Sequence, residues 1–251
     1  MARLELIALD GIGEVEPGDD LAELIGGALD VSELTLADAD CVVVTQKIVS
    51  KAEGRLVELS SVDPSPMAIA WAERWNKDPR QVELVLRESA EVVRMAPGGL
   101  IISRTRHGFV CANAGVDVSN VGGGEVASLL PVDPDASARA IRDGLLARTG
   151  AAPAVIVSDS FGRPWRNGIV NVAVGSAGIE AVRDLRGDPD AAGRVMQATV
   201  IAVADELASA ADLAGGKVEQ RPVVLVRGYA WRPSEAGASE LVMDRERDLF
   251  P

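Results

Sequence analysis

The chain has 251 residues, 47% hydrophobic and 25% charged, enough to bury the core of one large domain or two small ones. A formal net charge of −13 argues against a nucleic-acid or anionic-membrane partner, yet leaves room for a local cation cluster around a small anion. No run of about 18 apolar residues exists and "MARLELIALD" lacks a signal-peptide core, so the sequence reads as cytoplasmic.

In chain order, "RLELIALD" (3–10) alternates as a strand, and "GDDLAELIGGAL" (18–29) opens with acids as a helix N-terminus does. "DCVVVTQKIVSKAEGR" (40–55) is a buried strand running into a cationic stretch. Residues 64–94 follow a helical period, broken at Asp78-Pro79. "GLIISRTRHGFVCANAGV" (99–116) reads as a hairpin, and "DPDASARAIRDGLLARTG" (133–150) as a capped helix stopped by Gly150. "PAVIVSD" is a strand, residues 188–216 a long helix, and "RPVVLVRGYAW" (221–231) a final buried strand. The tail from Ser234 is polar and acidic, and expected to be loose at its end. Strand pairs mixed with helices predict an α+β fold with a mixed parallel and antiparallel sheet rather than strict βαβ winding. Cys41 and Cys111 each sit in an apolar run and read as small buried hydrophobes with reduced thiols.

Of two nucleotide signatures, the P-loop is absent, and "GGGEVA" satisfies Gly-x-Gly-x-x-Ala only as a minor Rossmann alternative. "AGGKVEQ" places Val218 where a P-loop needs Ser or Thr, and the helix that "GGGEVA" (122–127) would open is cut at Pro131. The lone His107 cannot anchor a Ser-His-Asp triad and reads as a surface residue in a hairpin turn.

What remains is a set of carboxylates that need partners: Asp117, Asp159, and the pair Asp205 and Glu206 inside an apolar helix. Turn chemistry, capping or salt bridges would explain them blandly. Convergence on a metal is the alternative, and with no His or Cys cluster the ligands would be oxygens, as magnesium or manganese prefers. Few carboxylates on a hard metal imply substrate phosphates, hence a nucleotide. Lys47, Lys51 and Arg55 at i, i+4, i+8 fit an anion site, either along one helical face or on an extended segment. In "VSDSFGRPWRNG" (157–168), Asp159 is followed by Arg163 and Arg166, which reads as a metal ligand and its phosphate clamp carried on one turn.

"VVVTQKIVSKAEGR", "AGVDVSN", "LLPVDPDASA", "VSDSFGRPWRNG", "VAVADELASAADL" and "PVVLVRG" occur here in the order seen in coenzyme F420-0:gamma-glutamyl ligases, which the chain resembles along its whole length. It looks especially like the N-terminal ligase domain of the two-domain actinobacterial enzymes, so a single ligase domain over 1–251 is expected, without their nitroreductase-like second domain. The resemblance implies GTP-dependent addition of L-glutamate to F420-0 through an acyl phosphate, two magnesium or manganese ions, stimulation by potassium, and an intertwined homodimer. Carried over by motif, GTP contacts are Ile12, Gly13, Glu14, Val15, Gln46, Lys51 and Asn120. Metal ligands are Asp117, Asp159, Ser160 and Glu206 (less so Asp205), with Arg163 or Arg166 steadying phosphate or substrate carboxylate. The same acids and arginines also suit a metal-dependent phosphohydrolase or nucleotidyltransferase, and a non-catalytic GTP-binding subunit is a third reading. Local chemistry alone does not separate these; the resemblance favours the ligase.

Overall fold

A computed structural model describes residues 3–118 and 125–248. Its centre is a five-stranded sheet in the order β1 (Glu5–Ala8), β12 (Val223–Arg227), β2 (Cys41–Thr45), β8 (Ala154–Arg163), β9 (Arg166–Ala177). The β2–β8 pair is parallel; β1–β12, β12–β2 and β8–β9 are antiparallel, the mixed sheet that the strand pattern predicts.

The central strands are apolar on both sides because both faces are covered. Val42, Val44, Val155, Val157, Val223 and Leu225 point into one core, shared with α1 (Leu21–Val31) and α5 (Pro134–Thr149). Their alternates Cys41, Val43, Ala154, Ile156, Val224 and Val226 point into the other, under α6 (Val203–Gly215). Ile25 and Leu145, fully buried between α1 and α5, are positions where truncation to Ala costs about 2–5 kcal/mol. Both helices start where the sequence predicts: the carboxylates of Asp20 and Asp133 accept from the first-turn amides, and α5 ends at Gly150 with φ 78°. Arg227, at the end of β12, donates to both oxygens of the buried Asp40 carboxylate at 2.8 Å and to the Thr35 carbonyl.

A second apolar unit carries α3 (Pro66–Trp75), α4 (Pro79–Glu88), and the strands β4 (Ser89–Ala96), β5 (Leu100–Thr105) and β6 (Val110–Ala112). A short ladder of β3 (Leu56–Glu58) with β7 (Val126–Ser128) lies beside it. The α2 helix (Gln46–Ala52) follows β2 without a linker.

Four sequence expectations are corrected. Residues 89–94 are strand, not helix: α4 stops at Glu88, and the β-branched Val92 pairs with Ser103 of β5. The long helix over 188–216 shrinks to α6. Upstream, the Asp190 carboxylate accepts from the Ala192 and Arg194 amides in a turn, and β11 (Val200–Ile201) pairs with β10 (Arg183–Asp184). "VSDSFGRPWRNG" is not a loop. β8 runs through it to Arg163, turns at Pro164-Trp165, and returns as β9, a strand that the sequence reading did not foresee. His107 is half-buried rather than a surface residue: it stacks on Phe109 with centroids 5.9 Å apart, and its Nε2 lies 2.9 Å from the Pro131 carbonyl oxygen. Both cysteines are buried, and among the described residues no helix is long and apolar enough to cross a membrane. The expected looseness at the chain end concerns residues 249–251, outside those described.

Candidate active site

The structure brings Asp117 and Asp159 together from two different units. Asp159 sits on β8, opposite Val172 of β9 and one residue past Ser158, where the parallel β2 ends at Thr45. Asp117 arrives from the second unit. The preceding residues Asn113, Ala114 and Gly115 all adopt left-handed φ, of 52°, 52° and 73°. For Ala114 this conformation costs about 1–2 kcal/mol, offset by its burial among Ala68, Ala72, Val85 and Ile101. The turn delivers Asp117 into a backbone bridge with Ser128, two reciprocal hydrogen bonds of 3.0 and 2.7 Å, so its position is set by the main chain.

The two carboxylates sense one another. Burial pushes the Asp159 carboxyl up to about 6, and the charge of Asp117 adds to the shift. The Ser160 amide, Lys217 and the Gln46 side chain offset part of it. Gln46 can donate its amide there because its Oε1 is occupied by the Ser50 hydroxyl at 2.8 Å. Lys47, one residue on, donates to Asp117 Oδ2 at 2.7 Å. The first two residues of α2 therefore each hold one of the two acids, which is what the abrupt β2–α2 junction achieves. Beneath them Cys111 of β6 is buried; burial and then the charge of Asp159 push its thiol up to about 12, so it is an inert thiol.

Next along β8, the Ser160 hydroxyl donates to Asn171 Oδ1 of β9 at 2.7 Å. Lys217 Nζ donates to the Ser160 hydroxyl and, at 3.5 Å, to the same Asn171 oxygen. Neither Asn171 nor Lys217 figures among the residues picked from sequence. Asn171 lies on the unforeseen strand. Lys217 lies in "AGGKVEQ", where the failed P-loop pattern drew attention away from a lysine turned back over the sheet just past the end of α6.

The remaining candidates fall into place unevenly. Ile12 and Val15 are buried in the loop before α1, Gly13 and Glu14 are exposed, and Glu14 forms an ion pair with Lys51 of α2. The cations Lys47, Lys51 and Arg55 do not line one open anion site: each meets an acid, Asp117, Glu14 and Glu88 respectively. Asn120 lies outside the described residues. Asp205 is partly buried and accepts from the Ala173 amide of β9 at 2.8 Å; burial raises its carboxyl pKa, and that hydrogen bond opposes the rise. Glu206 is exposed on α6. Among the described residues no group of three His, Cys, Asp or Glu is poised on one metal, so Glu206 does not form a cluster with Asp117 and Asp159.

The arginines do not share a turn with Asp159. Arg163 and Arg166 face each other across the hairpin tip, and four residues of strand place Arg163 about 13 Å along β8 from Asp159 at ~3.3 Å per residue. The reason is pairing: Phe161 and Gly162 stay in register with Val170 and Ile169, so the chain has no chance to fold back earlier.

The donor set at Asp117, Asp159, Ser160 and Asn171 is all oxygen. Two carboxylates repelling each other in a half-buried place, with a hydroxyl and an amide oxygen beside them, fit a hard divalent cation. Lone protein acids would leave much of its coordination to a ligand's oxygens.

The sequence profile of the F420-0:gamma-glutamyl ligase family matches residues 11–228. The chain is 47% identical to a protein of Methanothermobacter thermautotrophicus named coenzyme F420:L-glutamate ligase, over 98% of each chain. It is 45% identical to the Methanopyrus kandleri protein of that name, over 99% of this chain and 97% of the other. With the Haloarcula marismortui protein, again of that name, the identity is 44% over 98% and 95%. This chain belongs to the F420-0:gamma-glutamyl ligase family and is a ligase.

Proposed function

We propose that the chain joins L-glutamate to coenzyme F420-0 with GTP as co-substrate. The observation that carries this is the near full-length identity to three proteins named coenzyme F420:L-glutamate ligase. The chemistry at Asp117 and Asp159 supports it, because a site of paired acids and lysines suits a reaction between two anions.

The terminal carboxylate of F420-0 attacks the γ-phosphorus of GTP, and GDP departs as the bond to its β-phosphate oxygen breaks. The glutamate amine then attacks the acyl carbon, inorganic phosphate leaves, and the amine proton passes to solvent. The main barrier to the first step is repulsion between carboxylate and triphosphate. Asp117, Asp159 and the Ser160 hydroxyl would hold magnesium or manganese, which when bound neutralises the γ-phosphate oxygens and polarises the phosphorus. Gln46 and Lys47 keep the two acids aimed, a second layer that fixes the geometry before substrate arrives. Lys217, already on Ser160, adds a second cation whose charge acts on Asp159. By the family motifs, the loop Ile12–Val15, Gln46, Lys51 and Asn120 would bind the nucleotide, Glu206 would hold a second metal, and potassium would stimulate.

Arg163 and Arg166 steady phosphate or substrate carboxylate. Because they stand at a hairpin tip that also exposes Trp165 (80%) and Ile169 (57%), the homodimer expected of the family gives them a place to act: the tip of one protomer against the other. Mass spectrometry of F420-0 incubated with the protein, GTP, manganese and L-glutamate tests the reading. Mass gains of one glutamyl residue that require GTP and metal are expected. GTP consumption without glutamylated product would replace the ligase with a phosphohydrolase.

A further inference from the structure

A cavity of ≈ 190 Å³ opens between α4, β5 and the segment leading to Asp117. Its walls include Val82 and Ile101, and its polar groups are Lys77, Gln81, Asn113 and Asp117. The volume is that of a small organic molecule rather than a single ion or water.

The chemistry of the lining is one-sided. Lys47, Lys51 and Arg55 are each matched by an acid, whereas among the described residues no acid stands within ion-pair distance of Lys77. Its side chain lies across Gly99, where a Cβ would meet Lys77 Cε at 2.8 Å and the Trp75 Cβ at 2.9 Å. Gly99 also has φ +78°, a conformation that L side chains rarely adopt. Glycine there is what lets the lysine stem lie flat along the cavity wall. Asn113 Oδ1 accepts from the Ile101 amide at 3.3 Å, which turns the Asn113 NH₂ away from that strand as a donor. The lining therefore combines an ammonium and side-chain amides with an aliphatic wall and the Asp117 carboxylate.

We propose that this cavity is the subsite for the incoming amino acid, with Lys77 holding a carboxylate of L-glutamate and the amine directed to the Asp117 end. An anion meets the cation, a short methylene chain lies on the apolar wall, and the amine, neutral when it attacks, points towards Asp117. Because Asp117 is common to the cavity and to the Asp159 pair, the amine faces the place where the acyl group is activated. The inference rests on reading the chain as a glutamate ligase.

Calorimetric titration of L-glutamate into the full chain, with manganese and a non-hydrolysable GTP analogue present, tests it directly. The Lys77→Met variant should bind at least tenfold more weakly than wild type, and Lys77→Arg within about threefold. In turnover the KM for glutamate should rise in the same order, with the KM for GTP unchanged. Equal glutamate affinity in Lys77→Met, or an equal rise in the KM for GTP, overturns the subsite while leaving the ligase reading intact. If wild type makes no glutamylated F420-0, the ligase reading fails and the titration alone judges the subsite; absence of glutamate binding to wild type overturns it as well.

Discussion

Replacing Asp159 by Asn should abolish ligation while leaving the metal-free protein as stable as wild type or more so. Burial, then repulsion from Asp117, lifts this carboxyl from 3.8 to about 6. A folded-state pKa above the unfolded one means that the folded protein binds the extra proton between those values, so stability falls as pH rises through that window. At 1.36 kcal/mol per pH decade the charged form costs up to about 3 kcal/mol above pH 6, and roughly half that once partial exposure to solvent is allowed for. Asn keeps the shape and removes the charge. For a chain of this length about 1.5 kcal/mol is ~3–6 °C in Tm. Thermal melts in chelator at pH 5, 6, 7 and 8 would read it: wild type should lose stability between pH 5 and 7, and Asp159→Asn should lie above it at pH 7–8 with a flatter profile. Adding manganese should raise the wild-type Tm and leave the variant unmoved. A variant several degrees less stable in chelator at pH 7, with the wild-type response to manganese, would refute the reasoning and make Asp159 a structural acid.

Asp205 and Glu206 should separate cleanly. Asp205→Ala leaves the Ala173 amide without its acceptor and should cost about 1–3 kcal/mol in urea unfolding, whereas Glu206→Gln should lower turnover with stability unchanged; a stability loss in Glu206→Gln would remove it from the metal site. Arg166→Ala, at an exposed hairpin position, should reduce kcat by tenfold or more with a Tm within about 1 °C of wild type, since surface substitutions usually change stability by under 0.5 kcal/mol; unchanged kinetics would discard its role. Arg227→Ala should destabilise by roughly 3 kcal/mol because it strands the buried Asp40 carboxylate, and Asp40→Asn in the same background should recover part of that; no recovery would show that the loss lies in packing.

Much of the fold is legible in local chemistry. The runs "CVVV", "AVIV" and "VVLV" are apolar at every position, which only a sheet covered on both faces explains, and the acid caps and Gly150 bound α1 and α5. The hairpin of β8 and β9 was hidden because its outer half is polar and glycine-rich. "SFGRPWRNG" carries Ser, Gly, Pro and Asn, and only its register with the strand that follows makes it a hairpin. The helix over 188–199 failed the opposite way, since small residues with acids mimic a helix start, while the Asp190 turn that prevails depends on a single side chain. At the site, the acids were visible as charges in odd places, Asp117 and Asp159 above all. Their partners were not: Gln46 and Lys47 matter because a helix begins the moment β2 ends, and Lys217 because the chain reverses after α6. Those are facts of packing between distant segments, beyond any spacing rule.

The proposed reaction joins two anions on a chain of net charge −13, and the ion pairs at the site bear on how it could do so. Lys51 is nearly buried, its side chain 10% exposed, while its partner Glu14 is 74% exposed on a loop. A buried ammonium needs a counter-charge at all times, and an exposed loop acid is a replaceable one. On the proposed reading a nucleotide phosphate takes the place of Glu14: Lys51 stays paired, and Glu14 returns to water at little cost. Lys47 is different, because Asp117 is anchored by the main-chain bridge to Ser128. There, on the same reading, the exchange would run the other way: a divalent cation held by the acids would free the lysine for phosphate. Substrate and metal then enter as substitutions within existing ion pairs, so net charge of −13 is no obstacle. The consequence is a mutual dependence that ligand titrations can read: nucleotide affinity should fall by tenfold or more without manganese, and Glu14→Gln, which leaves Lys51 short of its resting partner, should tighten nucleotide binding rather than weaken it. Weaker binding in Glu14→Gln would mean that Glu14 holds the nucleotide with its side chain and not through the loop's main chain.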